Sequence, residues 1–104
     1  MATSSEVLKE IASIFNITVD EIKDKNRHDE VSYPRKVWLY VCHKHLNIPK
    51  RELSRKLDRE LSYTRHELKI IDRHISNSEN KWLCFWNKYE RESMILKQLI
   101  KNAA

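Results

Sequence analysis

Apolar residues recur along the chain at helical spacing, and the breaks between the stripes carry helix-capping patterns. Over residues 4–15, Val7, Leu8, Ile11, Ile14 and Phe15 trace one stripe behind a Thr3/Glu6 capping-box pattern, and Asn16 offers the left-handed turn that a Gly would usually supply. Thr18 and Glu21 repeat the box before a short helix with Val19 and Ile22, with Ile17 as its staple, so two helices meet at a corner. Residues 24–33 are polar without apolar periodicity and predict a loop, after which Pro34 fits the first turn of a third helix. That helix carries Val37, Trp38, Val41, Cys42 and His45 on one stripe, as a central core helix should.

Asn47 ends the third helix, and Pro49 begins a short one with Leu53 and Leu57 inward and basic residues, Arg59 among them, crowding the rest. Ser62 is a suitable N-cap for a fifth helix whose inward stripe reads Leu61, Thr64, Leu68, Ile71 and Ile75. Tyr63, Arg65, His66, Lys69 and Arg73 then point outward. A short helix, a turn over residues 58–61 and a longer helix make a helix-turn-helix outline, without the Gly often found in its turn. The last pattern, residues 79–101, predicts one helix about 35 Å long, more than a small helical core can cover. Its aromatic end, Trp82, Phe85, Trp86 and Tyr89, either packs back on its own domain or forms a dimer seam or protein-partner surface. The expected division is a helix-turn-helix domain over 1–76 and an aromatic C-terminal helix over 77–104.

With 104 residues, the chain suits one compact all-α domain. It contains no Gly, so a phosphate-cradling glycine loop has no raw material. The net charge of +5 is unevenly spread: residues 1–24 carry −3, residues 25–76 carry +6 and residues 77–104 carry +2. All five His lie in the central segment, where protonation would add to the positive potential. Cys42 and Cys84, with no secretory leader, read as reduced core fillers in a cytoplasmic protein. No apolar run approaches bilayer length, so no membrane partner is expected. Cys42, His43 and His45 sit together in sequence, but His43 turns about 100° from Cys42 on a helix, and no second cluster completes a metal site. No nucleophile motif frames the Ser, His and Asp residues, so neither catalysis nor a cofactor is expected.

These residues resemble the C-terminal DNA-binding domain (domain IV) of the bacterial replication initiator DnaA, of the Trp-repressor-like helix-turn-helix superfamily. The likeness runs through FNITVDEIKDKNR, VSYPRKVWLYV and ELSRKL, covering roughly residues 5–75. It implies a DnaA-like helix-turn-helix bundle, here with a long extra C-terminal helix. It also implies double-stranded DNA as partner, with the second helix of the pair in the major groove and the loop before the third helix in the minor groove. On that resemblance Arg27 is a minor-groove arginine with Lys25 beside it, and Arg35 is a phosphate contact. The family's Arg-Asp-His-Thr-Thr-Val signature falls on residues 60–65, where only Thr64 survives, and Asp29 and Tyr33 replace usual arginines. The DnaA recognition sequence is therefore not expected to be read here.

From the residues themselves, Lys50, Arg51, Arg55, Lys56 and Lys69 suit phosphates, while Ser62, Tyr63, Thr64, Arg65 and His66 lie on the expected recognition helix. The function expected is that of a cytoplasmic, nucleoid-associated regulator or replication factor from a bacterium or phage. The competing expectation is an interaction module that kept the fold and lost DNA binding.

Overall fold

The computed structural model describes residues 2–25 and 27–103. It is all-α, with helices α1 (Ser4–Ile14), α2 (Val19–Lys23), α3 (Asp29–Tyr40), α4 (Lys50–Lys56), α5 (Leu61–Ser76), α6 (Asn80–Glu92) and α7 (Met94–Ala103). Both expected capping boxes form. Thr3 and Thr18 accept from the N–H groups of Glu6 and Glu21, whose carboxylates return to the cap N–H groups at 3.1 and 2.9 Å. Asn16, Asn47, Asp58 and Ser78 take positive φ, from 50° to 57°, at the four sharp exits from helices. In a chain without Gly, three of these sites fall to Asn or Asp, which tolerate this region best.

The third helix starts earlier than its sequence pattern suggests, at Asp29 instead of Pro34. Asp29 and Glu30 favour the positive end of the helix dipole, and Val31 and Tyr33 contribute buried surface that the polar composition of residues 24–33 conceals. Pro34 therefore lies inside α3. Past Tyr40 the helix widens into a π turn, Val41–His45, closed by Leu46 N–H to the Val41 carbonyl at 3.2 Å.

One core joins the elements. Val37, Trp38, Leu39 and Cys42 from the third helix meet Val7 and Ile11 of α1, Ile22 of α2, Leu53 of α4 and Ile71 of α5. Trp38, wholly buried, donates its indole N–H to the Ser4 carbonyl at 2.9 Å, fixing α3 on α1. Ile75, expected inward, is 41% exposed because the α5 stripe outruns its neighbours.

The expected long C-terminal helix is broken in two. Ser93 leaves helical geometry at ψ 116° and caps α7, accepting from Leu96 N–H at 2.9 Å. Glu10 on α1 supplies the reason: its carboxylate accepts from the Tyr89 hydroxyl (3.0 Å), the Ser93 hydroxyl (2.6 Å) and Ile95 N–H (3.0 Å). Three donors on one carboxylate outweigh the backbone bonds lost at the break.

The aromatic residues follow the same inward turn. Trp82 and Tyr89, placed by sequence among candidate partner contacts, are 1% and 0% exposed and belong to the common core. Phe85 stacks on Tyr33 at 5.1 Å, and Trp86 packs against Trp82 and Tyr40 at 5.8 and 5.2 Å. Cys42 is a core filler, its thiol pushed up to about 12 by burial, whereas Cys84 is exposed and fills nothing. Among the described residues no helix is long and apolar enough to cross a membrane.

Candidate nucleic-acid interface

The helix-turn-helix is α4, the turn 57–60 and α5. Its angle is set by two buried hydroxyls: Ser54 donates to the Lys50 carbonyl at 3.0 Å, so it is the Thr64 hydroxyl that donates to Ser54. Arg59 N–H reaches back to the Ser54 carbonyl at 2.9 Å, and Asp58 takes the left-handed position a Gly often fills. Thr64, the survivor of the family signature, is 0% exposed and braces α4 against α5 instead of facing DNA. Glu60 stands at the N-cap, which places Ser62 on the exposed first turn of α5 and not at its cap.

Around α5, Thr64, Glu67, Leu68 and Ile71 are buried on one arc. Ser62, Arg65, His66, Lys69 and Arg73 are all exposed, and at 100° per residue they occupy a continuous opposite arc. Arg51 and Arg55 are exposed on one flank of α4, and Lys50 is half-buried at its start. Lys56 lies on the other flank, reaching Ser5 of α1 at 3.2 Å.

Between α5 and the loop before α3 lies a groove of about 470 Å³, into which Lys25 and Arg27 project from the loop and Arg59, Tyr63 and His66 from the turn and α5. The basic loop and the outer arc of α5 thus meet at His66, while Arg65 stands about 100° round the helix, at the other end of that arc. The loop is held at its root: the Asp24 carbonyl accepts from the Arg35 guanidinium and, at 3.2 Å, from Arg59.

Arg35, expected at a phosphate, is 3% exposed. Its Nε donates to the Ile22 carbonyl at 2.6 Å, so this guanidinium clamps α2 and the loop to α3. Burial of an always-charged group is tolerable here because backbone carbonyls accept from it.

Tyr63 is half-buried on the groove floor. The Arg59 guanidinium lies 4.4 Å from its ring centre, and its hydroxyl bonds to Glu67 at 3.4 Å. Burial raises the hydroxyl above its ordinary value, Glu67 adding to the rise and Arg35 and Arg59 opposing it. Beneath, Lys36 pairs with Glu67 at 3.4 Å, both side chains 10% exposed, and donates to the Ser32 hydroxyl at 2.9 Å. Four groove residues, Ser32, Lys36, Arg59 and Glu67, are not among the residues that the sequence points to. The signal for Glu67 was its position on the inward arc with Thr64, Leu68 and Ile71, where a carboxylate needs a buried cation.

The fold and the groove define the class: an all-α helix-turn-helix domain with a basic loop set beside its second helix. The chain matches the family described as bacterial dnaA protein helix-turn-helix over residues 4–71, and it belongs to that family. No curated protein and no solved structure matches it.

Proposed function

We propose that this protein binds double-stranded DNA through the outer arc of α5 and the basic loop before α3, as a non-catalytic regulator or replication-associated factor acting at the nucleoid in the cytoplasm. The observation that carries the reading is the groove in which Lys25 and Arg27 face Arg59 and His66. Membership in the DnaA helix-turn-helix family supports it. Arg65, Ser62 and His66 project toward base edges, with Arg65 suited to a guanine, while Arg27, with Lys25 beside it, enters the neighbouring minor groove and Lys69 neutralises a phosphate. Lys50, Arg51 and Arg55 extend the cationic surface along α4.

The competing role, a fold that engages a protein partner through Trp82, Phe85, Trp86 and Tyr89, loses its main support because two of the four lie in the core. Fluorescence anisotropy of labelled random-sequence duplex over a salt series tests the proposal. Binding at micromolar or tighter affinity that weakens steeply with salt supports it, and absent or salt-independent binding rejects it.

A further inference from the structure

The groove is built more firmly than a solvated basic surface. Its floor residues Arg35, Lys36 and Glu67 are 3%, 8% and 7% exposed, and each is tied into the fold by the bonds described above. The Glu67 carboxylate is taken up by Lys36 and the Tyr63 hydroxyl. Among the described residues no ion pair joins a carboxylate to Lys25, Arg27 or Arg59, so the charge of these three is not neutralised by an acidic side chain. The volume, about 470 Å³, lies in the range of small-molecule sites and exceeds what one phosphate group fills. A chain of two or three phosphates concentrates its charge over a short span, so it would meet Lys25, Arg27 and Arg59 together. The Tyr63 ring, under Arg59, provides an aromatic surface beside it.

We propose that the groove also binds a free small polyphosphate, of the inorganic pyrophosphate or nucleoside di- or triphosphate class, and that this anion competes with DNA. The anion site stands on the groove alone; the competition rests on the DNA-binding reading above.

The test is isothermal titration of the full chain, without DNA or magnesium, using pyrophosphate, a nucleoside triphosphate and sulfate at matched ionic strength. Saturable 1:1 binding of pyrophosphate at least about tenfold tighter than sulfate is expected. Comparable affinity for the nucleotide would assign recognition to the phosphates, whereas much tighter nucleotide binding would assign a share to stacking on Tyr63. Both support the site. Arg27→Ala should weaken pyrophosphate at least about fivefold and Arg59→Ala more, while Arg65→Ala, outside the groove, should change it less than about twofold. Should Arg59→Ala unfold by circular dichroism, the exposed Arg27 still decides the matter. No saturable heat, equal affinity for sulfate, or an unchanged Arg27→Ala overturns the site. With duplex bound, displacement by pyrophosphate beyond that by matched sulfate supports competition, and its absence overturns it. Failure of the duplex to bind at all would reject the DNA reading, while the titration with pyrophosphate would still accept or reject the anion site.

Discussion

The two halves of this molecule use charged side chains in opposite ways. On the side of α1, α6 and α7, carboxylates serve the fold: Glu10 takes three donors at the α6–α7 break, and Glu79 caps α6 through the N–H groups of Lys81 and Trp82 at 2.9 Å while accepting from Tyr33. On the groove side, Lys25, Arg27, Arg65 and Lys69 stand exposed with no ion pair among the described residues. Bonded charges hold a fold in one geometry, whereas charges left in water keep their interaction energy for a ligand. The comparison implies that substitutions in the aromatic half cost stability and those of the exposed cations in the groove half cost binding.

The sharpest way to break that division is Trp82→Ala, in a side chain 1% exposed beneath Tyr40 and Trp86. It should cost about 3–5 kcal/mol in urea denaturation, a large part of what a domain this size possesses. A loss under about 1 kcal/mol would mean that α6 does not belong to the core. Glu10→Ala should come next, at roughly 2–3 kcal/mol, because it strands a hydroxyl pair and a backbone N–H. Amide exchange in α7 should rise more than in α5; uniform exchange would contradict the role given to the break.

For Arg27→Ala, thermal stability should hold within about 0.5 kcal/mol while duplex affinity falls several-fold and the salt slope drops by about one. Arg65→Ala should lower affinity by a similar factor and also alter sequence preference. An unchanged affinity in both variants would place the DNA surface elsewhere.

The smallest effect concerns pH. Burial lowers the pKa of His45, which stacks near Trp86 at 6.4 Å. The unfolded chain therefore takes up this proton first. Stability should be complete above the ordinary value of 6.5 and be lost as pH falls through the lower folded value. Urea midpoints at about pH 7.5 and about pH 5.5 should differ less in His45→Gln than in the wild type; an equal difference would assign the slope to another group.

Much of the fold is legible in the chain because its signals are local. The boxes at Thr3 and Thr18, the left-handed exits at Asn16 and Asn47 and the stripe through Val37, Trp38 and Val41 depend on neighbours within a turn or two, and they predict the helices that form. The readings that failed required knowing what lies opposite in space. Arg35 looks like a surface cation until the carbonyls of Ile22 and Asp24 are seen to accept from it. Thr64 looks like a surviving contact until Ser54 is found against it.

The amino-acid sequence alone determined that the protein is helical, basic in its middle and carries a helix-turn-helix, because period, caps and charge are written residue by residue. Tertiary structure alone decided that the C-terminal helix breaks at Ser93 and that Arg59 joins Lys25 and Arg27 around one groove. Both outcomes come from contacts between residues far apart in the chain, Glu10 with Ser93 and Arg59 with Asp24, whose geometry no local pattern encodes.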